Sequence, residues 1–91
     1  MDFEWDPRKA RSNLGKHGVG FAEASRVFLD PHRIETYEGT APGEDRWKTA
    51  GLVEVVLLAV VYAVRGRDAE IIRLISARKA DRHERARYGQ I

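Results

Sequence analysis

The stretch Ile71–Tyr88 changes character halfway, and that change limits what the chain can build. Its first residues, Ile-Ile-Arg-Leu-Ile, are apolar and β-branched, the composition of a half-buried strand. Its last residues, from Ala80 to Tyr88, are basic and helix-favouring. The join, Ser76-Ala77-Arg78-Lys79, sets cations at the strand's end. A core strand that delivers arginines to a polyanion, followed by a short basic helix, requires a sheet around it and helices to cover that sheet.

The residues upstream supply both. Val53–Val64 is nearly all apolar, and its density of valine selects strand over helix. Gly66-Arg67-Asp68 is a short turn, and Glu70–Ser76 returns to complete a hairpin. Arg33–Tyr37 and Asp45–Ala50 have strand composition and should pair across a loop at Glu38–Glu44, with Gly51 marking a turn or bulge. Asp2–Trp5 alternates like a short edge strand. Asp6-Pro7 opens a helix over Arg8–Lys16, with Ala10 and Leu14 on one face, and His17-Gly18 closes it. A second helix starts near Phe21, with Phe21, Ala24 and Phe28 as its stripe and Ala22, Val27 and Leu29 widening it, until Asp30-Pro31. Asp81 and Glu84 have capping-box spacing, so the last helix runs from about Asp81 to Tyr88. This order predicts one α+β domain over residues 1–91: an antiparallel sheet, two N-terminal helices and a short C-terminal helix.

Several function classes are disfavoured. The chain has no cysteine, hence no disulfide framework and no thiolate metal site. Its three histidines, His17, His32 and His83, lack metal-ligand spacing, so no metal and no cofactor is expected. Gly18-Val19-Gly20 lacks a third glycine and follows a helix, so it reads as a linker and not as a dinucleotide loop. The apolar run contains Glu54 and is shorter than the roughly 20 residues a membrane helix needs. The acidic start Asp2-Phe3-Glu4-Trp5-Asp6 has no secretory h-region, and a cytoplasmic location without membrane contact is the default expectation.

The net charge is only +2, but it is unevenly spread. Eight basic residues from Arg65 to Arg87 stand against four acids, and the preceding segment is net negative. Arginines outnumber lysines twelve to four. Their planar fork suits a phosphodiester, although a solvated face of mixed charge is the plain alternative. If the strands are neighbours, Arg46, Arg65, Arg73 and Arg78 converge on one side of the sheet, where they would cradle a phosphodiester and stabilise charge developing on it. By strand alternation Arg73 shares a face with Ile71 and Ile75, and Arg78 continues the face of Ile72 and Leu74. An ion pair of Arg73 with Glu70, Glu54 or a helix carboxylate is the structural alternative. RNA cleavage by its own 2′-hydroxyl needs positioning, charge neutralisation and proton movement. His17, Glu44 and Tyr88 are candidates for the last. Trp5, Trp47, Tyr37 and Tyr62 are candidates for stacking on bases or for packing.

Taken in order, the strings Phe3-Glu4-Trp5-Asp6-Pro7, Asn13-Leu14-Gly15-Lys16-His17-Gly18-Val19, Phe21-Ala22-Glu23-Ala24, Gly43-Glu44-Asp45-Arg46, Val60-Val61-Tyr62 and Ile72-Arg73-Leu74-Ile75-Ser76-Ala77-Arg78-Lys79-Ala80 resemble the BrnT toxin family. The segment Ile34–Ala41 departs from the family pattern, as does Leu52-Val53-Glu54. The resemblance implies a RelE-like fold and a type II toxin that cleaves RNA and inhibits translation. It also implies a cognate BrnA-like antitoxin with a ribbon-helix-helix domain, through which alone the complex reaches DNA to repress its own operon. Carried onto this chain, the catalytic candidates are Arg65, Arg78, Tyr88, His17 and Glu44. The RNA-binding candidates are Arg46, Arg73, Lys16, Lys79 and Arg82. The alternative is a non-catalytic partner that binds the antitoxin and assists repression.

Overall fold

The computed structural model describes residues 1–90. The expected domain end, Ile91, lies outside them. Five strands form one sheet: β1 (Asp2–Glu4), β2 (Ile34–Ala41), β3 (Glu44–Val53), β4 (Val56–Arg65) and β5 (Ile71–Lys79). Their spatial order is β1-β5-β4-β3-β2. β2 to β5 form an antiparallel meander, but β1 joins β5 in parallel, pairing Phe3 with Ile72. The sheet is therefore mixed, not antiparallel throughout. The reason is connectivity: two helical segments and three strands separate β1 from β5, so no tight turn forces them antiparallel.

Helix α1 (Pro7–His17) begins as its sequence dictates. Asp6 accepts the Arg8 backbone N–H at 2.8 Å, Pro7 occupies the first turn, and Gly18 ends the helix in the left-handed region at φ 70°. Its buried residue is Asn13, whereas Leu14 is 53% exposed, the reverse of an ordinary apolar stripe. β1 covers only the first part of β5. Further along that edge, Asn13 donates to the Ala77 carbonyl at 2.8 Å and accepts the Ala77 N–H at 3.0 Å, standing in for a missing strand. It also donates to the Val19 carbonyl at 3.0 Å.

The second helix is shorter than its stripe suggests. α2 (Phe21–Ala24) tightens into a 3₁₀ segment over Ser25–Leu29. Phe21, Ala24 and Val27 bury themselves against Leu58, Val60, Tyr62, Ile72, Leu74 and Ala77 as the main core, while Leu29 is 80% exposed. Trp5 stacks edge-on with Phe21, and Phe28 does so with Tyr62.

Two loop readings change. The expected loop Glu38–Glu44 shrinks to Pro42-Gly43, because Thr40 pairs with Asp45 and Ala41 with Glu44. Gly51 marks neither turn nor bulge. It lies inside β3, where a Cβ would come within 2.9 Å of Val27 Cγ2. The actual turn is Glu54-Val55, and β4 starts at Val56.

The last helix, α3 (Arg82–Tyr88), has the reciprocal Asp81/Glu84 capping box. It lies on the opposite face of the sheet from α2, so the helices do not share one face. Glu84 there reaches Lys48 and Arg78, and Arg87 reaches Thr36. Small residues let it sit close: Ala50, Ala59 and Ala80 are all buried.

Candidate nucleic-acid interface

Register places the cations. On β4, Leu58, Val60 and Tyr62 face the main core, so Ala59, Val61, Ala63 and Arg65 face the other way. Lys48 stands opposite Val61 on β3, and Arg46 follows by alternation. On the other side, Arg73 stands opposite Ala63, Ser76 opposite Val61 and Arg78 opposite Ala59.

The last two pairings depend on a bulge. Tyr62 pairs with Leu74 but Val61 with Ser76, which leaves Ile75 as an extra residue. Alternation reverses there: Ala77 joins the face of Ile72 and Leu74, and Arg78 leaves it for the face of Arg73. The result is a trough. Its floor on β4 is low at Ala63, its walls are Arg46 and Lys48 on β3 and Arg73 and Ser76 on β5, and α3 closes its Ala59 end, where Glu84 holds Lys48 and Arg78. The walls stand two strand spacings, about 10 Å, apart.

Most of these cations are already held by carboxylates. Arg65 meets Glu44 at 3.0 Å and Arg73 meets Glu4, a strand residue, at 2.7 Å. Arg78 grips buried Glu84 through two bonds of 2.7 and 2.9 Å, and Lys48 meets the same carboxylate at 2.9 Å. Burial alone would raise the Glu84 pKa, but Arg78, Lys48 and the Asp81 N–H outweigh it and hold the group at about 2. The hydrogen bonds from Arg78 to Glu84 in turn push the guanidinium pKa up. Arg46 differs. It has no carboxylate partner among the described residues, and its Nε is buried without a hydrogen bond.

The other candidates are not gathered at this trough. Tyr88 is bonded to Asp30 beside Leu52, whereas Glu44 is at the far end of β3, about 27 Å away at roughly 3.4 Å per residue. Its phenol pKa is raised to about 12, first by the bond to Asp30 and then by burial. Lys16 and His17 line a cavity of 190 Å³ between α1 and β5. Lys79 pairs with Leu58 and so belongs to the core-side face, at its exposed end. Arg82 is exposed at the start of α3. Trp47 stacks on Tyr37, which also donates to Asp45 at 2.7 Å. Sequence reasoning missed Lys48, whose alternation with Arg46 within one strand was the available signal, and Asp30, which gave none beyond a helix stop. Among the described residues, no three His, Asp or Glu side chains group as a metal site would require.

Against known proteins, residues 5–84 match the model of a family described as the ribonuclease toxin BrnT of type II toxin–antitoxin systems. The chain belongs to the BrnT family. The crystal structure of the Brucella abortus ribonuclease toxin BrnT superposes on it with a TM-score of 0.67 and 27% sequence identity, covering 90% of this chain and 99% of that one. No curated protein matches the sequence. A BrnT-family chain is a type II toxin ribonuclease, which implies an RNA substrate and an antitoxin partner. No helix among the described residues is long and apolar enough to cross a membrane.

Proposed function

We propose that this BrnT-family chain is an endoribonuclease toxin that cleaves RNA by metal-independent transesterification, and thereby inhibits translation. The register that gathers Arg46, Arg65 and Arg73 around the small side chain of Ala63 carries this reading. The RNA 2′-oxygen attacks the adjacent phosphorus and the bond to the 5′-oxygen breaks, leaving a 2′,3′-cyclic phosphate and a free 5′-hydroxyl. Arg46, Arg73 and Arg65 bind the non-bridging oxygens, where negative charge grows in the transition state. Glu44, released as Arg65 turns to phosphate, takes the 2′-hydroxyl proton. His17, at the neighbouring cavity, supplies a proton to the leaving 5′-oxygen. Arg78 and Tyr88 act by fixing α3, and Lys16, Lys79 and Arg82 add positive charge along the RNA path. The scaffold is read as RelE-like, the partner as a BrnA-like antitoxin and the compartment as the cytoplasm.

The test is cleavage of a defined RNA by purified, antitoxin-free protein in EDTA, with mapping of product ends. Cyclic phosphate ends formed in EDTA support the reading; RNA left intact with and without ribosomes overturns it. The pairing of Arg65, Arg73 and Arg78 with carboxylates favours a second reading, in which the cations are structural and the chain chiefly binds antitoxin to assist repression. Expression without antitoxin separates the two, because a pure co-repressor does not arrest growth.

A further inference from the structure

An amphipathic helix ordinarily turns its apolar side to the sheet beneath it. Here α1 seats Ala10 on the core and buried Asn13 on the edge of β5, and an exposed polar flank runs beside them. Lys9, Ser12 and Lys16 recur at helical spacing and, with His17, line the 190 Å³ cavity whose far wall is Ile75 and Ser76 of β5. No carboxylate lines that cavity, and none of Lys9, Lys16 and His17 forms an ion pair among the described residues. This contrasts with the trough, where Arg65, Arg73, Arg78 and Lys48 are each matched by a carboxylate. The two regions adjoin. Ser76 stands on the trough face opposite Val61, between the positions of Arg73 and Arg78, and the bulge at Ile75 is what turns it there.

We propose that this cavity is a second phosphate subsite. Resting on the ribonuclease reading, it holds the RNA phosphate that follows the leaving 5′-oxygen. Lys9 and Lys16 supply charge, Ser12 and Ser76 supply hydroxyl donors, and the contact sets the strand's direction across the trough. A strand fixed at two successive phosphates is aligned as well as bound, which a single arginine cluster cannot achieve.

The experiment measures binding, not cleavage. A short 2′-O-methyl RNA, which cannot be cleaved, is prepared with one neutral methylphosphonate placed at each linkage in turn. Its affinity is measured by fluorescence anisotropy for wild type and for the Lys9→Ala/Lys16→Ala protein. Both lysines are exposed, so the variant is expected to fold with an unchanged melting curve. Wild type should lose about tenfold affinity at one linkage beyond the scissile position. The variant should be weakened on the all-phosphate RNA, and insensitive at that linkage alone. Its slope of log affinity against log salt should fall by about 0.7 for the one phosphate lost. Equal binding by both proteins overturns the subsite, as do effects that simply add at every linkage or a wild type that does not bind. If wild type binds with this pattern yet fails to cleave the matching 2′-hydroxyl RNA, the ribonuclease reading falls and the subsite stands.

Discussion

Tyr88 and Asp30 tie the two faces of the sheet together around the Leu52–Val53 end of β3. The Tyr88 hydroxyl donates to Asp30 Oδ2 at 2.6 Å, and the Leu52 backbone N–H donates to the same oxygen at 2.8 Å. Asp30 ends the 3₁₀ segment on one face, and Tyr88 ends α3 on the other. Burial pushes the Asp30 pKa up, but the bonds from Tyr88, Leu52 and His32 overcome it and leave the carboxyl below its ordinary value.

Replacing Tyr88 by phenylalanine removes that tie. The expected loss is about 1 kcal/mol, because the bond is charge-assisted but partly wet. For a domain of this size that lowers Tm by about 4–8 °C. The native phenol keeps its proton to about pH 12, whereas the unfolded one loses it near 10.0. Wild-type stability therefore declines as pH rises through that interval. Urea melts from pH 9 to 12 should show a shallower decline for Tyr88→Phe, with Tyr62, raised by burial and by its bond to Glu35, accounting for the remainder.

Glu84 sets the acid limb. Its folded pKa of about 2 lies below the ordinary value of 4.5, so its contribution is complete above pH 4.5 and is lost as pH falls towards 2. Glu84→Gln should cost about 2–4 kcal/mol at pH 7, since it leaves Arg78 and Lys48 without their buried counter-ion. The variant's stability should also change less between pH 5 and 2.5 than that of wild type. Chemical denaturation at several pH values tests both points.

Asn13 serves Ala77 as donor and acceptor at once, through the NH₂ and the oxygen of one planar amide. Asn13→Ala leaves both Ala77 groups without their partner and should cost about 2 kcal/mol. Asn13→Asp should be worse at pH 7, because a carboxylate would face the carbonyls of Ala77 and Val19. A smaller loss for the aspartate in urea melts contradicts the assignment.

Arg46 is the trough cation to remove first. It holds no carboxylate, so Arg46→Ala should leave stability within about 0.5 kcal/mol of wild type. RNA cleavage should fall by about 100-fold, the scale of losing one positioned transition-state donor. Arg73→Ala should also reduce cleavage, but with a stability loss from freeing Glu4. Single-turnover cleavage beside thermal melts separates the two, and growth after induction without antitoxin gives the same ranking in cells.

Gly51→Ala should destabilise by about 1–3 kcal/mol through overpacking. The added methyl would meet Val27 Cγ2 at 2.9 Å and Arg33 Cβ at 3.0 Å. A neutral thermal melt for this variant contradicts that close approach.

Local chemistry was legible in the sequence wherever a structure depends on residues a few positions apart. Asp6-Pro7 opens α1, Gly18 closes it, and Asp81 with Glu84 caps α3, because each device is complete within one turn of helix. The valines of β4 and the turn after Arg65 announced the central hairpin for the same reason. The tertiary structure decided what pairing between distant residues controls. A one-residue bulge at Ile75 exists only against β4, and it moves Arg78 from the face of Leu74 to the face of Arg73. The parallel placement of β1 and the seating of α3 opposite α2 depend on which sheet edge and which alanine floor remained uncovered. The sequence by itself determined that arginines would end a core strand. Only the register determined that they stand together, since alternation places a side chain on a face once the partner strand has fixed the count.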